Sequence, residues 1–137
     1  MKIVINKCFG GFSLSKAAVK RLAELNGKTA YFFRQIGIAG PYIPATEADE
    51  GRFFTAFDVP NPNDFFDTEV MWNNHYLTNR PEDRSDSKLI QVVEELGKEA
   101  DGDYASLRIV NIPDSVSYEI ENYDGIESVH EVHTVWG

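Results

Sequence analysis

The opening stretch "KIVINKCFGGFSLSKAAVKRLAELNG" constrains the fold more than any other part of the chain. "KIVIN" is a run of apolar, largely β-branched residues and reads as a buried strand. Leu14, Ala18, Leu22 and Leu25 then recur at helical spacing and predict a core-facing amphipathic helix. Ser13 or Ser15 can cap it by accepting from a free backbone N–H, and Asn26-Gly27 closes it. Between strand and helix lie Lys7, Cys8, Phe9, Gly10, Gly11 and Phe12, so the backbone must change direction within one tight, glycine-bearing turn.

The remaining pattern extends this to an α+β domain. "KTAYFFRQI" reads as a strand. Pro41, Pro44, Pro60 and Pro62 break up the region from Gly37 to Asn63, leaving room for a strand in "GRFFTAFDV", where Phe53 and Phe57 share a parity. "DTEVMWNNHYLT" is expected to form a further strand. A second helix is expected from Ser85-Asp86, with Asp86 as cap and Leu89, Val92, Val93 and Leu96 as its buried stripe. "YASLRIVNIP" is a strand stopped by Pro113, and Asp124-Gly125 joins two extended runs into a C-terminal hairpin. The expected architecture is two helices packed on a largely antiparallel β-sheet, as one domain over residues 1–137. An apolar fraction of 42% is enough for a core.

Charge narrows the function classes. The net charge is −9, yet residues 1–40 carry seven basic side chains against Glu24 alone, and no Lys or Arg follows Asp114. A nucleic-acid binder needs the opposite balance, so nucleic acid is not expected as a partner. No run approaches the roughly 20 apolar residues of a membrane span, so no membrane partner is expected either. One cysteine forms no internal disulfide, and the N-terminus lacks a secretory h-region, which together lead to the expectation of a reducing, cytoplasmic setting.

Three groups of residues invite a chemical reading. In the first, the turn Lys7-Cys8-Phe9-Gly10-Gly11-Phe12-Ser13 precedes a helix N-terminus, which favours an anion, and Lys7 and Lys16 add charge. The plain alternative is a tight connection, with the glycines supplying positive φ and Phe9 and Phe12 anchoring it in the core. The turn is neither GxGxxG nor a Walker loop, and no cofactor is expected. Second, Arg80 and Arg84 in "NRPEDRSD" can read phosphate through a bidentate fork, or pair at the surface with Glu82, Asp83 or Asp86. Third, "HEVH" suggests a metal, but His130 and His133 would face opposite sides of a strand, so no metal site is expected. Cys8 before the helix could be a nucleophile, yet no local signature ties a histidine to it. Phe65-Phe66 and Trp136, in acidic surroundings, suggest a subunit interface and hence a homo-oligomer.

"KIVINKCFGGFSLS" together with "NRPEDRSD" and "DSKLIQVVEELGKEADGDYASLRIVNIPDSVSYEIENYDGIESVHEVHTVW" resembles a family of small, uncharacterised phage and prophage proteins. Its members open with "CFGGFGLS" and close with "VVEELG…IP(D)xVxxxIxxYDGxExVxExHRxW". The resemblance covers about residues 1–25 and 78–137, with Ser13 where the family has Gly and Thr134 where it has Arg. It implies a viral protein acting in the host cytoplasm, where small accessory proteins often counter host defence. The expected function is sequestration of a small anionic ligand, such as a nucleotide second messenger, at the glycine turn. The alternatives are an acidic inhibitor of a basic host protein, using "TEADEG" and Glu119, Glu121 and Glu127, and a small hydrolase of a nucleotide messenger.

Overall fold

The computed structural model describes residues 1–36, 40–45 and 54–132. The chain divides into two compact units, one formed by Met1–Ala18 with Arg80–Gly137 and the other by Val19–Asn79.

The first unit is built around β1 (Lys2–Asn6), which pairs antiparallel with β6 (Leu107–Asn111) in the register Val4↔Ile109. Ile3, Val4 and Ile5 are buried in succession, so both faces of β1 are covered. Helix α3 (Ser87–Leu96) packs on β1 and β6. It starts as expected at Asp86, whose carboxylate accepts from the Lys88 N–H at 3.1 Å, and buries Leu89, Val92 and Val93. β7 (Tyr118–Tyr123) and β8 (Ile126–Glu131) form the expected hairpin, with Asp124 and Gly125 both at positive φ in the two-residue turn.

Helix α1 (Lys16–Leu25) follows the glycine turn. Ser15 is its cap, accepting from Ala18 N–H at 3.1 Å, whereas Ser13 points its hydroxyl at the Asp103 carbonyl. The buried stripe is Ala18, Val19 and Ala23, and Leu22 and Leu25 are only half-buried.

The second unit holds a four-stranded antiparallel sheet in the order β3-β2-β4-β5. Its strands are β2 (Tyr31–Gln35), β3 (Tyr42–Pro44), β4 (Thr55–Phe57) and β5 (Tyr76–Leu77). The expected single sheet is thus three separate antiparallel sheets, and the described residues form three α-helices, not two.

The extra helix is α2 (Thr68–His75), inside the segment expected to be a strand. Asp67 overrides the β-prone composition there, because its carboxylate accepts from the N–H groups of Glu69 (3.0 Å) and Val70 (3.3 Å) and starts a helical turn. Phe57 is fully buried, with the rings of Trp72 and Tyr42 edge-on at 5.1 and 5.3 Å. Of the expected interface pair, Phe65 packs beside His75 while Phe66 is fully exposed. Phe53, the "TEADEG" loop, His133, Thr134 and Trp136 lie outside the described residues.

Since Phe57 centres the aromatic cluster of the second unit, Phe57→Ala should cost about 3–5 kcal/mol. Urea unfolding followed by near-UV circular dichroism would measure it.

Candidate functional site

The glycine turn is shaped by residues far from it in sequence. Asn6, at the end of β1, is fully buried and uses its whole side-chain amide. Its Nδ2 donates to the carbonyls of Cys8 (2.7 Å) and Gly125 (2.6 Å), and its Oδ1 accepts from the N–H groups of Ser106 (2.8 Å) and Cys8 (3.3 Å). One side chain therefore joins the opening loop, the loop before β6 and the hairpin turn.

Beside it lies an ion pair between a half-buried arginine and a buried glutamate. Arg84 Nη1 and Nη2 donate to Glu127 Oε1 and Oε2 at 2.7 and 3.0 Å, the bidentate geometry that guanidinium and carboxylate favour. The pair also covers the open edge of β1. Val4 N–H donates to the Arg84 carbonyl (2.9 Å), Arg84 Nη1 reaches the Val4 carbonyl (3.4 Å), and Asn6 N–H donates to Glu127 Oε1 (2.8 Å). The Arg84 guanidinium lies 3.7 Å from the centroid of the Phe12 ring, which carries the network to the glycine turn.

Arg84 is thus engaged with Glu127 and not with the neighbouring acids named from sequence. Asp83 accepts from Ser85, and Asp86 caps α3. Glu127, read as part of an acidic surface, is buried.

The other residues singled out from sequence are spread over surface and core. Lys7 is exposed, with its N–H donating to the Ser106 carbonyl at 2.8 Å, and Arg80 is exposed too. Phe12 and Ser13 are buried, Cys8 is half-buried, and Lys16 is half-buried in the first turn of α1. Phe9 is 63% exposed, so only Phe12 anchors the turn. His130 sits on β8 with its Nε2 2.8 Å from Ser128 Oγ and 3.3 Å from Glu121. Among the described residues no group of three or more His, Cys, Asp or Glu side chains is placed to hold a metal ion.

Backbone strain is concentrated at this corner. Gly10 (φ 117°), Gly11 (φ 93°), Tyr104 (φ 59°), Asp124 (φ 49°) and Gly125 (φ 92°) are five of the seven positive-φ residues described. The three turns touch closely. A Cβ on Gly125 would stand 2.4 Å from Gly11 N, and one on Gly10 would stand 2.6 Å from Tyr104 Cβ. Asp124 and Gly125 take the positive φ usual for a two-residue hairpin turn, so Tyr104 is the one bulky side chain held in this conformation among the described residues. The same turns carry three exposed rings, Phe9 (63%), Tyr104 (81%) and Tyr123 (77%). Sequence reasoning missed Asn6, Tyr104 and Tyr123. The one available signal was the presence of Asp124-Gly125 and Gly10-Gly11 as two separate turn motifs.

No known protein family, curated protein or solved structure matches the chain.

Two outcomes follow from the network. Glu127→Met alone takes the carboxylate from the half-buried Arg84 guanidinium and from Asn6 N–H and should destabilise the protein by about 3–5 kcal/mol, while Arg84→Met/Glu127→Met should recover only part of that loss, because Asn6 N–H stays without its acceptor. Chemical denaturation of the two variants compares them directly. Gly125→Ala combines a strained φ with a backbone collision and should lower the melting temperature more than Gly27→Ala, whose added Cβ meets nothing within 4 Å.

Proposed function

We propose that the protein is a non-catalytic binder of a small, nucleotide-like anion, recognised at the three-turn corner. The observation that carries this reading is the convergence of five left-handed backbone positions with three exposed aromatic rings beside Lys7. Rings of this kind stack on a base, and Lys7 supplies a charge for a phosphate group. Asp103 and Asp124, exposed on the same turns, would accept from ribose hydroxyls or exocyclic amines. Arg84 acts here as a positioning residue, holding Phe12 and β1 so that the turns keep their shape, and not as a phosphate ligand.

The resemblance to phage proteins supports a role against host defence, in which sequestering a signalling nucleotide needs no catalytic group. A homo-oligomer, with exposed Phe66 at a subunit contact, belongs to the same proposal.

A second reading, inhibition of a basic host protein, is favoured by the outward face of the hairpin. There Glu119 and Glu121 are exposed on the same side of β7.

The test is incubation of the purified protein with cyclic oligonucleotides and cyclic ADP-ribose isomers, followed by filtration and heat denaturation. The binder reading expects one compound to vanish from the filtrate and return intact after heating. Lys7→Ala and Phe9→Ala should each weaken its capture by about tenfold, the ~1.4 kcal/mol of one exposed contact, without changing the melting temperature. Recovery of a converted product would make the protein an enzyme. If nothing is depleted, the ligand reading is overturned and salt-sensitive capture of a basic protein, lost in Glu119→Gln/Glu121→Gln, becomes the expectation.

A further inference from the structure

The unit formed by Val19–Asn79 contains a cleft of about 600 Å³ that plays no part in the corner. Its size lies within the range of small-molecule sites. Tyr42, Phe65, Met71 and Trp72 supply apolar and aromatic walls, and none of its lining residues is charged.

The walls are held in place before any ligand arrives. Asn63 clamps the backbone of Tyr42 on both sides, its Oδ1 accepting from Tyr42 N–H and its Nδ2 donating to Tyr42 C=O, each at 2.8 Å. This pair of bonds holds the Tyr42 backbone along the edge of β3, which has no further strand neighbour among the described residues. The Tyr42 and Trp72 rings pack edge to face, with centroids 6.4 Å apart and an interplanar angle of 61°. Burial pushes the Tyr42 phenol pKa above its ordinary value, so the hydroxyl stays protonated at neutral pH.

Two polar groups remain for a ligand. Gln35 uses its Nε2 on the Gly40 carbonyl at 3.0 Å, leaving its side-chain carbonyl without a partner among the described residues. The Thr68 hydroxyl, at the start of α2, is exposed at the cleft. The cleft opens to solvent at Gln35, Asn63 and Thr68, which are exposed, and its lining offers no countercharge to an ion. A flat ring fits instead, packed on aromatic faces and read at one edge by an acceptor and a hydroxyl.

We propose that this cleft binds an uncharged, planar heteroaromatic ring with amide-like edge groups, of the nucleobase or nucleoside class. The inference stands on the geometry of this unit alone and does not rest on the reading of the corner.

Trp72 is the natural reporter, because Trp136 is the only other tryptophan in the chain and Trp136→Phe leaves Trp72 alone. The full-length Trp136→Phe protein would be titrated with adenosine, guanosine, inosine, cytidine and uridine, following Trp72 emission. At least one nucleoside should quench it saturably, with ribose giving no change. Gln35→Ala should weaken that binding at least about fivefold, the ~1 kcal/mol of one edge hydrogen bond. Thr68→Trp, which places a ring at the mouth, should abolish it, with binding to this variant read by calorimetry. If Thr68→Trp does not fold, the Gln35→Ala titration decides alone. Absence of saturable quenching up to about 5 mM, weaker than roughly −3 kcal/mol of binding, would overturn the proposal. So would quenching that Gln35→Ala leaves unchanged. Nucleosides carry no phosphate and the reporter stands in the cleft, so either result is independent of nucleotide capture at the corner.

Discussion

The first unit depends on how the open edge of β1 is closed. Among the described residues β1 has one strand neighbour, β6, and its other edge exposes backbone donors and an acceptor that need partners. Arg84 and Glu127 provide them, partly with backbone and partly with the two charged side chains. The ion pair is therefore more than an electrostatic contact, because it takes the place of a third strand. Removing one member would leave both a buried charge and an unpaired strand edge, whereas an apolar pair could restore the packing but not the edge bonds.

Much of the architecture is legible in the sequence where the signal is local. Asp86, followed by Leu89, Val92 and Val93, names a helix start and its buried face within a few residues, and α3 forms there. Asp124-Gly125 likewise names a hairpin turn, and the two flanking runs pair around it. α2 is the opposite case. Its Thr, Val, Met and Trp fit a strand as well as a helix, and the decision falls to Asp67, which binds two N–H groups just ahead of them. The helix then needs only Met71 to bury, so it has no strong stripe to read.

The candidate site was less legible because its key contacts are long-range. The glycine turn stood out, but Arg84 finds Glu127 across the chain, and nothing in "NRPEDRSD" favours that partner over the acids beside it. A single asparagine after a strand is ordinary in sequence, yet Asn6 is the residue that gathers three loops. The exposure of Phe9 also depends on tertiary structure. The positive φ values of Gly10 and Gly11 turn the chain so that Phe12 enters the core and Phe9 does not.

The four bonds of Asn6 also set an order of events in time. Its partners include Ser106 and Gly125, which are made long after the strand and turn they hold. A growing chain that has emerged only as far as α1 has the glycines, but no carbonyl at 125 and no N–H at 106 to fix them. Contacts of such sequence separation form late and carry a high loop-closure cost. The corner's geometry is therefore a property of the finished chain, and any competence of this surface begins only once the hairpin has closed over the residues that were made first.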